Sequence, residues 1–148
     1  MVKQMLAIIA GYIAIALIIM LIFTLAYKLM GADGAFKPGT YEVSALWIGV
    51  SIFTSLVAAV IGGYITTLLS RDFKAGVGLA VLLLFLGLFN AYHQDRKDGA
   101  TSRQRAGDIS NTEAMMNARE PLWVAVVNPI LGAIGVLAGA RLQRSSRG

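Results

Sequence analysis

Four long apolar runs, almost free of charged residues, restrict the fold of this chain more than any other feature of its sequence. They cover approximately residues 6–28, 45–69, 75–92 and 122–142. No Asp, Glu, Lys or Arg lies in the middle of any run. About 18 apolar residues are enough for a helix to cross the hydrocarbon core of a bilayer. A soluble domain would need polar residues on its surface, so each run predicts a membrane span.

The spans must be α-helical, because lipid offers no hydrogen-bond partner to an unpaired backbone N–H or C=O. None of them shows the sustained alternation of a membrane strand. We therefore predict an all-α membrane protein, with residues 1–148 forming a single membrane domain of four transmembrane helices in an antiparallel bundle. Segment 70–74 is so short that the second and third helices must be antiparallel neighbours.

A polar loop, residues 93–121, separates the third and fourth spans. Within it, Ser110 followed by Glu113 fits a capping box, in which the hydroxyl accepts from a backbone N–H three residues later. This pattern predicts a short helix over approximately residues 111–119. Pro121 suits the first turn of the fourth span, where a missing N–H costs little.

The two halves of the chain share a pattern that could reflect two similar helical hairpins. Trp47 precedes Gly62, Gly63 and Arg71, and Trp123 precedes Gly135, Gly139 and Arg141. Two such hairpins could be related by an axis along the membrane normal. The alternative is that tryptophan favours membrane interfaces and glycine favours membrane helices without any repeat.

Two stripes of small or weakly polar residues follow helical spacing in the second and fourth spans. One comprises Ser51, Ser55, Ala59, Gly62 and Thr66, and the other Ala125, Asn128, Gly132, Gly135 and Gly139. Small residues let two helix backbones approach closely in a membrane. We expect the two helices to meet along these stripes, which is a statement about packing before it is one about function.

Polar residues near the outer ends of the third and fourth spans form a candidate cavity. Its predicted lining is Asn90, Tyr92, His93, Trp123 and Asn128. Asn90 and His93 are three residues apart and therefore share a helix face. The alternative interpretation is ordinary interfacial polar residues together with one asparagine that packs between helices. The carboxylates near His93 match no metal-ligand spacing, so no metal site is predicted.

The positions of the charges predict an orientation. If the N-terminus is cytoplasmic, six basic residues and one acidic residue lie inside, and seven of each lie outside. The two counts of basic residues are nearly equal, but the inner basic residues lie tight against helix ends, where they favour the cytoplasmic side most strongly. We therefore expect a multi-pass protein of a bacterial inner membrane with both termini in the cytoplasm. Anionic lipid headgroups are expected to contact basic residues close to the helix ends. These residues are Arg71, Lys74, Arg141 and Arg144. The basic charge is explained by topology, so no nucleic-acid partner is predicted.

Few signals in the sequence point to chemistry. The chain has no cysteine and one histidine, which excludes thiol redox chemistry and Cys-ligated metals. No cofactor is predicted. The leading hypothesis is a non-enzymatic accessory, assembly or oligomeric protein that associates with another membrane protein or with itself. The alternative is a small channel or carrier for a neutral or weakly polar solute, lined by the Ser, Thr and Asn residues of the second and fourth spans. An enzyme with His93 as general base is a third hypothesis, with the least support.

Overall fold

The computed structural model describes residues 1–97, 107 and 109–146, without the side chains of residues 94–97. It contains five helices, which are α1 (Val2–Ala35), α2 (Ala45–Ser70), α3 (Phe73–Lys97), α4 (Asn111–Asn117) and α5 (Leu122–Ser145). All but α4 are long and apolar enough to cross a membrane. The described residues otherwise form only two isolated β-bridges. The chain is therefore an all-α, multi-pass membrane protein built as a four-helix bundle, which confirms the predicted fold class.

The helix ends differ from the predicted ones for local reasons. The first helix continues to Ala35 through Gly31, whose positive φ of 68° interrupts the helical backbone. The short helix begins as predicted, with the Ser110 hydroxyl accepting from the Glu113 N–H at 3.2 Å. It ends at Asn117 rather than at residue 119, because the Arg119 N–H donates to the Tyr41 carbonyl at 2.9 Å. Pro121 lies just before α5 rather than within its first turn.

The bundle has two ends, which we name by what they carry. The cap end carries residues 36–44 and α4. The tail end carries the N-terminus, the end of α5 and the two-residue connection between α2 and α3. Helices α2 and α5 run in the same direction and form the most extensive helix pair. Helix α1 packs on α2 and α3 packs on α5, whereas α1 and α3 contact each other much less.

Glycines bring α2 and α5 into backbone contact in a reciprocal way. A Cβ added at Gly63 would collide with the Val136 carbonyl, and one added at Gly139 would collide with the Val60 carbonyl. These two contacts are equivalent, because Val60 and Gly63 of α2 correspond in sequence to Val136 and Gly139 of α5, each 76 residues later. A Cβ at Gly135 would lie 2.9 Å from that of Ala59, which is related to it by the same offset. Two parallel helices that exchange equivalent contacts in this way are related by an approximate two-fold axis along the bundle.

Packing closes the tail half of the bundle. The Gln4 side chain donates to the Asp72 carboxylate at 2.6 Å, which joins the start of α1 to the α2–α3 connection. Gly11 of α1 lies beside the Gly62 carbonyl and the side chain of Leu79, and Leu79 is completely buried. Nearer the cap end, two cavities lie between α1 and α3.

Candidate functional site: a cleft between α1 and α3

The gap between α1 and α3 contains two adjoining cavities, which together we call the α1–α3 cleft. The lower cavity has a volume of about 300 Å³ and lies in the middle of the bundle. Its lining is mainly apolar, with Ser55, Asn90 and Asn128 as polar members. The remaining lining residues are Tyr12, Ile15, Ile19, Ala59, Leu83, Leu86, Gly87, Pro129 and Gly132.

The upper cavity lies directly beneath the cap and has a volume of about 340 Å³. Ile19 and Asn90 line both cavities, so the two adjoin each other. The upper cavity is richer in aromatic and polar groups than the lower one. Its other lining residues are Phe23, Tyr27, Phe36, Trp47, Asn111, Ala114, Met115, Ala118 and Glu120.

Backbone pairing between two loops forms the cap over this cavity. Phe36 and Val43 form an antiparallel bridge, which the Lys37–Glu42 ion pair closes at 2.9 Å. The Arg119 N–H donates to the Tyr41 carbonyl, and the Val43 N–H donates to the Arg119 carbonyl at 3.1 Å. These bonds hold the segment before α5 against the α1–α2 loop.

Side-chain hydrogen bonds attach α4 to the same structure. The Tyr27 hydroxyl donates to the Ile109 carbonyl at 2.8 Å, and the Tyr41 hydroxyl donates to Glu113 at 2.9 Å. The Asn111 amide donates to the Thr24 hydroxyl at 3.3 Å. Helix α4 therefore lies over the α1 side of the bundle and closes the upper cavity from above.

A chain of three polar side chains runs from the cap into the bundle. The Asn128 amide donates to the Ser51 hydroxyl at 3.1 Å, and this hydroxyl donates to the Glu120 carboxylate at 3.4 Å. Ser51 is only 1% exposed. The Asn128 carbonyl oxygen is buried and has no partner among the described residues. Buried polar atoms usually have partners. The Asn128 oxygen is therefore an acceptor that remains available to a ligand in the lower cavity.

Glu120 is an unusual residue for such a position. It lies two residues before α5, and its neighbour Arg119 makes the backbone bonds that fix the segment. Burial raises the pKa of the Glu120 carboxyl above the ordinary value of 4.5, and the hydrogen bond from Ser51 offsets part of that increase. Desolvation disfavours the charged form of an acid. The ionisation of Glu120 therefore depends on which groups lie next to its carboxyl.

Aromatic rings accompany this carboxyl group in the lining of the upper cavity. The rings of Phe23 and Trp47 have centroids 5.4 Å apart and are tilted by 52°. Tyr27 meets Trp47 edge to face at 6.3 Å. Both separations are typical of favourable aromatic pairs. Trp47 joins both contacts, so helices α1 and α2 hold a fixed cluster of three rings.

The structure divides the predicted polar cavity. Asn90 and Asn128 line the lower cavity. Tyr92, His93 and Trp123 are exposed and do not line either half of the cleft. His93 instead packs against Phe89, with ring centroids 4.5 Å apart. These three residues were grouped with the asparagines because they share one end of the bundle, but they lie on its outer surface.

The two small-residue stripes also serve more than one contact. Gly135 faces Ala59, and Gly139 faces the α2 backbone, in the α2–α5 interface. Ser55 and Gly132 line the lower cavity instead. Gly62 and Thr66 face Ile15 and Gly11 of α1 rather than α5, because α2 packs on both neighbours. Ala125 is partly buried.

The basic residues predicted to contact lipid headgroups lie together at the tail end of the bundle. All four have exposed side chains, which are those of Arg71, Lys74, Arg141 and Arg144.

Several residues of the cleft are not apparent from sequence reasoning. Glu120 looks like one more charge of a polar loop, and Phe23 and Tyr27 look like ordinary apolar and interfacial residues of the first span. The feature of the sequence that indicates a role for Glu120 is its position, only two residues before an apolar run. A carboxylate so close to a helix start can reach the bundle interior, but its direction depends on the loop that pairs with it.

Comparisons with protein-family models, with curated proteins and with solved structures found no match to this chain.

Proposed function

We propose that this chain is a non-enzymatic, multi-pass protein of a bacterial inner membrane that binds a small amphipathic molecule in the α1–α3 cleft. The observation that carries the proposal is the graded lining of the cleft. Its upper part is lined by Glu120, whose carboxylate is linked through the Ser51 hydroxyl to Asn128 in the lower part. The rest of the lower lining is mainly apolar. A ligand with a polar head and an apolar tail matches that gradient.

The size and access of the cleft support this function. Cavities of about 300 Å³ or more are the usual size of small-molecule sites, and both halves reach it. Tyr12 of α1 and Leu86 of α3 line the lower cavity, and they are 40% and 39% exposed. The cleft is therefore open between these helices toward the lipid, from which a membrane-dissolved ligand would enter. The closed tail half favours a binding protein or carrier over an open channel.

Association with another membrane protein or with a second copy is the second candidate function. The glycine faces on which that hypothesis was based pack within the chain, in the α2–α5 interface. A different observation favours it, because α4 lies outside the four spans and still exposes two large apolar side chains. Met115 is 52% exposed and Met116 is 80% exposed.

The distribution of charge supports the orientation that we propose, with both termini in the cytoplasm. At the tail end, the exposed basic residues Lys3, Arg71 and Lys74 lie with those of the last helix, and Asp72 is the single acid there. Basic residues next to span ends favour the cytoplasmic side and can contact anionic headgroups.

The proposed function is tested with 2-bromodecan-1-ol, a neutral amphipathic probe whose bromine quenches tryptophan on contact. The Trp123→Phe background leaves Trp47, in the wall of the upper cavity, as the reporter. In a nonionic detergent we expect saturable quenching. Gly132→Leu should weaken binding about tenfold, because a side chain at Gly132 meets no atom within 4 Å and would occupy the lower cavity.

Gly49→Leu is the matched control, since a side chain there also meets nothing within 4 Å but Gly49 is exposed and lies outside the cleft. Its binding should equal that of the background protein. Quenching that rises linearly with probe and is identical in all three proteins would refute a binding cleft. Recovery of the protein with a stoichiometric partner, lost on Met116→Glu, would then favour association.

A further inference from the structure

We propose that the head of the ligand is an organic ammonium cation, held in the upper cavity between the Glu120 carboxylate and the rings of Phe23, Tyr27 and Trp47. This inference rests on the proposed function and specifies the chemical class of its ligand. Glu120 and the same three aromatic residues line one cavity of about 340 Å³.

The charge of the cavity is the first reason. Among the described residues that line the upper cavity, Glu120 is the one with a formal charge. Ser51 donates a neutral hydrogen bond to it at a long 3.4 Å. A largely buried carboxylate that has no cationic partner among the described residues is costly, and a ligand cation would supply that partner.

The nearby basic side chains line a different hollow of the cap. Lys37, Glu42, Arg119 and Glu120 line this hollow, which has a volume of about 260 Å³. Lys37 is paired with Glu42 there at 2.9 Å. Glu120 therefore lines both the hollow and the upper cavity, whereas Lys37 and Arg119 line the hollow and not the upper cavity.

The aromatic lining is the second reason. The face of an aromatic ring attracts a cation, and sites for quaternary ammonium groups are commonly built from several rings. Trp47, the strongest ring type for this contact, is fixed by Phe23 and by Tyr27. An aromatic cluster alone would accept any apolar group, but a cluster with a carboxylate selects a cation.

The lower cavity accounts for the rest of the ligand. It adjoins the upper cavity at Ile19 and Asn90, and its walls there include Ile15 and Leu83. Such walls fit an alkyl chain rather than a second charged group. The complete ligand is therefore an amine or quaternary ammonium compound with an apolar tail that extends toward the centre of the bundle.

The positive charge of the ligand should also make its binding depend on pH. A cation next to Glu120 favours the carboxylate and lowers its pKa, so affinity should rise with pH through the raised pKa of the free protein. Among the described residues, the other titratable or charged groups around the cap are Tyr27 on α1, Glu113 on α4, and Lys37, Glu42 and Arg119. Glu120→Gln separates the contribution of Glu120 from theirs.

The test is competition against 2-bromodecan-1-ol at Trp47, in the Trp123→Phe background and a nonionic detergent. The competitors are decyltrimethylammonium, decan-1-ol and decanoate, which share a ten-carbon scaffold and differ in charge. We expect the cation to bind about tenfold more tightly than the alcohol and decanoate to bind weakest. The advantage of the cation should grow from about pH 5 to about pH 8.

Two variants and their matched controls complete the design. Glu120→Gln should abolish the preference for the cation and its pH dependence, whereas Glu113→Gln, an exposed acid on α4, should retain both. Phe23→Leu should weaken the binding of the cation more than that of the alcohol. Phe53 is exposed on α2, so Phe53→Leu should change the binding of neither.

The outcomes separate this inference from the proposed function. If the alcohol binds saturably and the cation competes no better than it, the ammonium site is refuted while the cleft remains. If no probe shows saturable binding, both fail. Because the three competitors are compared on the Trp123→Phe protein itself, the result does not depend on the folding of a cleft variant.

Discussion

The fold holds the Glu120 side chain largely out of water, although a carboxylate is most stable when it is solvated. Its carboxyl lies in the interior, near Ser51, because backbone bonds between Arg119 and the segment Tyr41–Val43 hold the chain in an extended form there. Successive side chains of an extended segment point to opposite sides. The side chains of Arg119 and Glu120 therefore point in different directions, and of the two only Glu120 lines the upper cavity.

This placement should reduce stability at neutral pH. The pKa of Glu120 is raised in the folded state, so folding favours the protonated acid. That contribution is fully present below the ordinary value of 4.5 and is lost as pH rises through the raised pKa. We expect Glu120→Gln to raise the unfolding temperature at neutral pH by roughly 2–4 °C and to have less effect near pH 4.5.

Circular dichroism of the detergent-solubilised protein would measure both midpoints, with Glu113→Gln as the control for losing an exposed acid. A Glu120→Gln protein that is less stable at neutral pH would show that a basic group holds the carboxylate in an ion pair. A higher midpoint together with lost cation binding would mark Glu120 as a residue retained for function at a cost in stability.

At the scale of elements, the α2–α5 pair is the framework on which the cleft is built. The spacing of small residues predicted that these helices meet, and in the structure Gly63 and Gly139 allow each backbone to reach the other. The spacing did not reveal that Gly62 and Thr66 face α1. A face of small residues can receive any helix, and the choice between two neighbours depends on the whole bundle.

The close approach predicts different costs for two glycines of the same helix. Gly139→Ala should destabilise the protein by about 1–3 kcal/mol, as overpacking against rigid structure does, because the new methyl group would collide with the Val60 carbonyl. Gly132→Ala should be tolerated, since its methyl group would enter the cleft. Both are compared by equilibrium unfolding in mixed micelles; equal stabilities would show that α2 and α5 separate easily.

At the scale of the whole molecule, the cap breaks an approximate two-fold symmetry. Trp47 and Trp123 occupy matching positions 76 residues apart. Trp47 is 8% exposed and lies beneath the cap, whereas Trp123 is 56% exposed. The difference arises because α4 lies against α1, on one side of the axis only. The two-fold relation between α2 and α5 therefore yields one aromatic cavity rather than two.

The proposed topology can be tested because the chain has no cysteine of its own. Asn117→Cys places a thiol on exposed α4 at the cap end, and Ser145→Cys places one in an exposed position near the C-terminus. In intact cells, a membrane-impermeant maleimide should label the first and not the second. The reverse pattern would invert the orientation, and labelling of both in intact cells would contradict the arrangement of spans.

The sequence by itself determined that four segments cross a membrane as helices, because an apolar run of that length leaves the backbone no other way to satisfy its hydrogen bonds. It also determined that two helices carry faces of small residues. Only the tertiary structure decided where the cleft lies. The gap between α1 and α3 depends on how four helices share their faces. The contact between Glu120 and Ser51 depends on backbone pairing between loops 77 residues apart, from Glu42 to Arg119. Such long-range contacts are set by the assembled fold and leave no local pattern in the chain.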